Sequence, residues 1–409
     1  MKISQHQLAF LLAALASLGP FAIDTYLPAF PAMAQQLGAS TLHVQQTLTA
    51  YLIPFAFMML WHGAISDALG RRRIILVGLA VFSLASVLCA CATRIEMLWL
   101  GRALQGCSAG VGMVVGRAMV RDVLEGASAQ RLMAKIAMLF AIAPAVAPIV
   151  GGYVLRGFGW HGIFIFLAAI SGGLLAACWA WLPETLPAEK RQSLHPRQLA
   201  HAYRAAFSHP VFMLLALANG LNFSAGFIYV LASPVFLIKH LGLTPQDFAV
   251  LFIPQVAGMM TGSFMSGRLA GRLPHHHTIM ISYAIMGAAA LLNLTINLTL
   301  PPGLPWSIAP LPLFWCGMSL AMPNMQLLAL DLFPKRRGLA SSALGAVHTS
   351  TSTISAALVI PLLWGSTLGL ASGMAVFLSL GGLAFFLTQA RVWNKTPAQK
   401  VGAGDTAGN

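Results

Sequence analysis

Long apolar stretches separated by short polar groups repeat along the whole chain. A lipid core about 30 Å thick takes roughly 20 apolar residues, wound as a helix, to cross. Runs of that kind lie near 8–32, 45–65, 74–92, 97–120, 132–155 and 161–182, and again near 211–236, 248–267, 278–299, 306–331, 339–364 and 370–390. Between the sixth and seventh, the segment PETLPAEKRQSLHPRQLAHAYR is charged, punctuated by proline and partly amphipathic. The pattern predicts an all-α integral membrane protein of twelve transmembrane helices in two six-helix, pseudo-symmetric bundles: residues 1–182 as the first, 183–210 as a cytoplasmic linker, 211–391 as the second and 392–409 as a cytoplasmic tail. A faint internal echo, SDALGRRR (66–73) against SGRLAGRL (266–273), suits two related halves that rock around a central site.

Composition agrees with that pattern. Hydrophobic residues make up 58% of the 409 and charged residues only 8%, against about 25% charged in a soluble domain. A globule of this length still needs a polar surface; a lipid-facing one does not. The net charge of +14 raises nucleic acid as a partner, but basic residues that bind it cluster on one face or tail. Here they stand in short groups between apolar runs, as at Arg71–Arg73 and Lys335–Arg337, which is the pattern of cytoplasmic loops. With the N-terminus inside, 19 Lys and Arg fall on the cytoplasmic side and three, Arg94, Arg156 and Lys239, outside, while Arg102 and Arg117 lie within a span. An error of one helix early in the chain would reverse that bias, so both termini are expected in the cytoplasm of a bacterium, with the chain in its inner membrane. The first run carries no small-residue cleavage site and reads as a retained helix. The five cysteines lie in apolar runs without ligand spacing and read as small buried hydrophobes, so no disulfide framework and no metal site is indicated. There is no nucleotide-binding loop, and neither a catalytic cluster nor a soluble domain that an enzyme or sensor needs; no cofactor is expected.

Asp24 is the one carboxylate deep in any span. Burying it is costly unless it is paired, hydrated or protonated, and burial makes a carboxyl hold its proton more readily, as a proton-coupling group must. The alternative is a structural acid tied to backbone groups freed by Pro20 and Pro28. Arg102 lies a turn or two inside the fourth span, beside Gln105, where it either faces a polar cavity and biases Asp24 or snorkels to the outer interface. The glycines at 106, 110, 112 and 116 permit close helix contact. Arg117, Arg121 and Asp122 read as a snorkelling and ion-pairing group at the inner end. After the second span, Gly63, Asp67, Gly70 and Arg71 make a charged hinge able to latch one half against the other, a gating element. In the fifth span Pro144 and Pro148 remove two ladder donors, and Gly151 and Gly152 give a smooth contact surface. The second half offers neutral polar residues, Asn219, Asn222, Tyr229, Asn293, Asn297, Asn324 and Gln326, for lining a cavity or joining helices.

Taken in order, AIDTYLPAFP, G-x-x-x-D-x-x-G-R-R, R-x-x-Q-G and A-P-x-x-A-P-x-x-G-G resemble the major facilitator superfamily, most closely its Bcr/CflA branch of drug–proton antiporters; WHGIFIFLA (160–168), LPETLP (182–187) and RGLASSALG (337–345) extend the likeness over most of the chain. The resemblance implies that Asp24 is the helix-1 acid of proton coupling and substrate binding, with Arg102 and Gln105 in the helix-4 motif. It puts Gly63, Asp67, Gly70 and Arg71 in the loop motif, and Pro144, Pro148, Gly151 and Gly152 in the antiporter motif. Tyr26 and Tyr51 fall in segments that line that family's central cavity. The chain departs from the family at Ala68, where a basic residue is usual, at Met58–Met59, where Gly-Gln is common, and at His62 and His348. His275–His277 sit in an inner loop without the fixed geometry of a metal site. The expected function is export of small amphipathic drugs or antibiotics by alternating access in exchange for protons, by a monomer. An exporter of an endogenous amino acid, peptide or siderophore with the same coupling is the rival.

Overall fold

The computed structural model describes residues 5–124, 126–191, 195–334 and 337–393; the tail beyond 393, with Lys2, Lys335 and Arg336, lies outside them. Among the described residues the chain is helical, with no strand. That is what lipid demands, because a helix satisfies its own backbone groups where no water can. Large apolar side chains such as Phe57, Leu84, Phe158 and Leu362 point outward from it, as a lipid-facing surface requires.

Helix α1 (Gln5–Asp24) ends in a single 3-10 turn (Leu27–Ala29) and the short α2 (Phe30–Gln36). Helix α3 (Thr41–Leu69) returns, its first turn capped by Ser40, whose hydroxyl accepts from the His43 amide at 3.2 Å. Gly70, at φ 99°, makes the tight corner into α4 (Arg71–Ala90). The fourth crossing is α5 (Ile95–Ala109) and α6 (Val111–Val123), which meet at Gly110.

Helix α7 (Gly126–Trp181) is 56 residues long, about 84 Å at 1.5 Å per residue and too long for one crossing. Gly159, at φ 69°, breaks it. Beyond the break Ser83 Oγ donates to the Ala168 carbonyl (3.2 Å) and Arg72 Nη2 to the Trp179 carbonyl (2.6 Å), so this limb runs antiparallel to α4. Before the break Gly151 lies against Thr25, at the far end of α1. The two limbs are the fifth and sixth crossings. Among the described residues eleven helices are long and apolar enough to cross a membrane, and the break at Gly159 makes twelve spans of them, the number read from the sequence.

The linker contains α8 (Pro196–Phe207), whose Tyr203 hydroxyl donates to the Leu60 carbonyl at 2.8 Å. The second bundle is α9 (Pro210–Leu231), α10 (Ala249–Leu269), α11 (His275–Thr299) and α12 (Pro310–Asp331). It continues with α13 (Arg337–Ile354), which passes through a π-helical segment (Ser355–Val359) into α14 (Ile360–Leu363), and ends with α15 (Thr367–Trp393). Proline opens α8, α9 and α12, where its missing amide costs no helical hydrogen bond. The two bundles meet along two seams, α3 against α13 and α7 against α10. Residue 5 and residue 393 lie at the same end of the bundle, here the terminal face; Asp24, Gly151 and Pro245 lie toward the opposite face.

A candidate transport cavity between the two halves

A cavity of about 330 Å³ lies between the bundles, within the range of about 300–1,000 Å³ that holds small ligands. Its wall runs from Asp24, Phe227 and Val230 to Arg117, Leu330 and Ser341. Those last three stand within two turns of the terminal ends of α6, α12 and α13. At the opposite face the seams are tied across the halves. Gln246 Nε2 donates to the Gly152 carbonyl (3.2 Å) and Gln46 Nε2 to the Ala357 carbonyl (3.4 Å). A Cβ on Gly151 would collide with the Thr25 backbone, and one on Gly152 with the Pro245 carbonyl. Gly151 therefore lets α7 pack on the backbone just after α1 within the first half, Gly152 takes the contact with the second half, and Pro144 of the same motif lines the cavity.

Asp24 closes α1 and forms part of the cavity wall; its side chain is buried and its Oδ1 has no hydrogen-bond partner. Pro20, one turn earlier, also lines the cavity, so the end of α1 is both loosened and exposed to the void.

Arg102 is fully buried on α5, between two aromatic faces: its guanidinium carbon lies 4.3 Å from the Tyr26 ring centroid and 4.4 Å from that of Tyr51. Its Nη1 donates to the Ala22 carbonyl (3.2 Å) and to Gln105 Oε1 (2.7 Å), and Gln105 Nε2 donates to Ser86 Oγ (2.8 Å). Tyr51 donates to the Gly19 carbonyl (3.1 Å), and Tyr26 shares a hydrogen bond with Thr47 (2.9 Å). Arg102 thus holds the last turn of α1 through the backbone two residues before Asp24, and makes no ion pair with it. Snorkelling is ruled out by its zero exposure.

This arrangement corrects several sequence expectations. Tyr26, Tyr51 and Gln105 do not line the cavity; they stand behind its wall, because their faces and amide are taken up by Arg102. Asn222, Tyr229 and Asn324 also lie outside it: Asn222 donates to the Tyr283 hydroxyl (2.8 Å), Tyr229 accepts from Asn293 (2.8 Å), and Asn324 pairs with His275 Nδ1 (2.7 Å). Of the named cavity candidates, Asn219 lines it, as does Gln326. Arg117 faces the cavity, while Asp122, its expected local partner, accepts from Arg71 Nε at 3.1 Å.

The charged hinge is a latch within the first half, not between halves. Arg71 reaches Asp67 (2.6 Å), Asp122 (3.1 Å) and Ser66 (2.6 Å), and its amide donates to Glu184 Oε1 (3.0 Å) at the start of the linker. Every one of these partners, like the Glu184 and Arg191 side chains that pack beside Gly70, belongs to the first half or to the linker. Gly63 is less crowded than expected, with the nearest atom to a Cβ there at 3.8 Å.

His62 faces the Cys107 carbonyl (3.0 Å). His348 lines the cavity against Phe223, ring centroids 4.3 Å apart. The three histidines at 275–277 are not in a loop but open α11. Among the described residues no group of three or more His, Cys, Asp or Glu comes together. The cysteines are free, and Cys91 is exposed because it caps α4 instead of packing inside it. What sequence reading missed are Gln255, Trp315, Thr349 and Ser352, all on the cavity wall. Only a face-by-face registration of the second-half helices would have picked them out, and no charge marks that face.

Residues 10–356 match the family model described as Major Facilitator Superfamily. The chain is 34% identical over 392 residues to a Bacillus subtilis (strain 168) protein named uncharacterized MFS-type transporter YdgK, covering 94% of this chain and 96% of that one. It is 29% identical over 368 residues to multidrug resistance protein D of Escherichia coli (strain K12), covering 89% and 91%. It is 27% identical over 388 residues to a bicyclomycin resistance protein homolog of Haemophilus influenzae, covering 93% and 95%. Among solved structures, the human organic anion transporter MFSD10 superposes with a TM-score of 0.70 at 17% identity, covering 95% of this chain and all of that one. A bacterial homolog of the lysosomal transporter Spinster gives 0.69 at 15%, covering 95% and 98%. Helix count, motif order, central cavity and relatives agree, and the chain belongs to the major facilitator superfamily.

Proposed function

We propose that this protein exports small amphipathic drugs or antibiotics across the bacterial inner membrane in exchange for protons, working as a monomer with both termini in the cytoplasm. The observation that carries the reading is Asp24: a buried carboxyl with a free oxygen, set in the wall of the cavity between the halves. Drug export as the task is supported by the relatives named for multidrug and bicyclomycin resistance. The cytoplasmic placement of the terminal face rests on the 19 basic residues assigned to it against three on the other.

In this reading residues 1–182 and 211–391 rock against each other about the cavity, the 183–210 linker joining them. Asp24 takes a proton when the cavity faces outward. When the cavity faces the cytoplasm, substrate and proton disfavour one another at linked positions, so loading substrate releases the proton. Arg102 is a positioning residue: through the Ala22 carbonyl it fixes where Asp24 sits. The Arg71 latch keeps the first half rigid as it moves, and Gly151 with Gly152 lets the opposite face close.

The test is expression in a pump-deficient bacterium screened against a drug panel, with proton flux followed in inverted vesicles. Wild type is expected to confer resistance and to move protons when drug is added. Asp24→Asn, inserted at the same level, is expected to do neither; undiminished drug-driven proton flux in that variant removes the coupling scheme.

A further inference from the structure

The linker helix α8 has two distinct faces. Arg197, His201 and Arg204 are exposed, whereas Leu199, Tyr203 and Phe207 are half-buried and Ala206 is fully buried, so the packed side recurs every three or four residues. That side lies on the second half, against α13 and α9. The joint to α9 is two residues long, Ser208 and His209, and it is held in place. His209 Nδ1 accepts from the Phe212 amide (3.2 Å), and its ring meets that of Phe333 at 5.6 Å between centroids. By its packing, α8 belongs to the second half.

Tyr203 reaches across to the other half. Its hydroxyl donates to the Leu60 carbonyl of α3 (2.8 Å) in the first half, and bonds on its other side to the Ser342 side chain of α13 in the second. A phenol has one proton to give, so Ser342 is the donor in that second bond. The chain Ser342–Tyr203–Leu60 thus runs from one half to the other, and stacking on Phe207, at 6.0 Å between centroids, holds the Tyr203 ring for it. Both ends of the chain adjoin the cavity wall: Met59 and Ser341 line the void, while among the described residues none of α8 does. The chain therefore ties the α3–α13 seam from outside the cavity, on the terminal side of the molecule. The opposite face is tied separately, by Gln46 and Gln246.

We propose that α8 is a strap that rides on the second half and holds the first through the Tyr203 hydroxyl while the cavity faces the terminal side, letting go each time the halves rock the other way. A hydrogen bond tolerates little displacement: a relative shift of about 1 Å between α3 and α13 carries this one past bonding distance. Letting go leaves nothing stranded. The Leu60 carbonyl is inside α3 and keeps its helical partner, and the half-buried hydroxyl can turn to water. A neutral bond of this kind biases a two-state equilibrium roughly fivefold. That sets a resting orientation without locking the carrier in it. The strap rests on the rocking motion of the export reading and involves neither Asp24 nor the substrate.

The experiment measures distances between spin labels on the full-length protein in lipid nanodiscs, its own cysteines replaced by alanine. Labels at Arg94→Cys and Thr299→Cys report the width of the opposite face, and labels at Val123→Cys and Arg272→Cys that of the terminal face; all four positions are exposed. Tyr203→Phe keeps the ring and deletes the bond. Ser342→Ala removes the outer donor and leaves the bond to Leu60, so either variant reports if the other fails to insert. Tyr203→Phe is expected to raise the ratio of wide to narrow opposite-face distances about fivefold, with the terminal-face distances moving the other way. Ser342→Ala should shift both in the same direction by less. Each comparison is repeated with Gly151→Val, whose loosened opposite face brings a scarce population into range. Ratios that neither variant changes, or that move toward a wider terminal face, overturn the strap. So does a Tyr203→Phe protein that unfolds at a lower temperature yet keeps wild-type ratios, since the bond then only holds α8 in place. A single distance at each face in every variant, with or without a drug found in the resistance screen, sinks the rocking reading and the strap with it.

Discussion

Among the described residues of the first six helices, three charged side chains are buried, Asp24, Arg71 and Arg102; Arg71 is held by two carboxylates, and Arg102 by a carbonyl, Gln105 and two tyrosine rings, with its Nε and Nη2 left without a partner. In the last six, among the described residues, no charged side chain is buried. Asp331 and Arg337 pair at 2.9 Å on the surface, and the cavity wall is neutral amides, hydroxyls and aromatic rings, several without a partner. The difference follows from what each kind of group costs in lipid. A charge inside a membrane protein must be fixed by its surroundings, so the half that carries charges carries the rigid network too. Neutral groups are left without a partner in both halves, Gln45, Thr49 and His62 in the first and Asn219, Gln255 and Trp315 in the second, at a lower cost than a charge.

The comparison breaks most visibly at Arg102. Arg102→Ala strips the filling from between Tyr26 and Tyr51 and takes the Arg102 donor from Gln105 Oε1 and the Ala22 carbonyl, and is expected to cost about 3–5 kcal/mol. A thermal unfolding midpoint in detergent within a degree of wild type would show that the network is ornamental.

Gly151→Val comes next, because the atom a Cβ meets is the Thr25 carbonyl, which is backbone and has nowhere to move. Overpacking of this kind costs about 1–3 kcal/mol. The opposite face should loosen, and a cysteine introduced by Gln246→Cys should react faster with a membrane-impermeant maleimide in the Gly151→Val background than without it. Asn219→Leu is expected to act in the reverse sense on stability, raising it by about 1 kcal/mol as an unpaired buried amide is removed. A lowered midpoint would mean that Asn219 is a structural group and that the contrast between the halves is wrong. The smallest effect is expected at Gly63→Ala: with 3.8 Å of room at the nearest atom, gain in helix propensity of up to about 1 kcal/mol is all that remains. A destabilised Gly63→Ala measured the same way would place a tight contact there.

The division of what the sequence did and did not disclose follows the same line. Twelve spans were legible because each needs a long apolar run, and even the break at Gly159 falls in the gap left between the fifth and sixth runs. Asp24 and Arg102 stood out because a charge in such a run needs a cavity, a partner or a way out to the interface, and both are buried. The rotation of each helix was not legible, since in a span apolar on all sides no periodic stripe separates lipid from cavity. That is why Tyr26 and Tyr51 were expected in the cavity and stand behind it, and why Gln255 and Trp315 went unnoticed. The Arg71 latch was read correctly as a cluster and wrongly as a bridge between halves, because Glu184, its partner from the linker, is 113 residues away in the chain.

The central claim is that one proton on Asp24 and one substrate in the neighbouring cavity exclude each other. Purified protein in weakly buffered detergent, followed with a pH-sensitive dye, tests it without transport. Adding a substrate identified by the resistance screen should release protons from wild type and none from Asp24→Asn that still binds it. Equal release from both, or none from wild type at saturating substrate, would contradict the account.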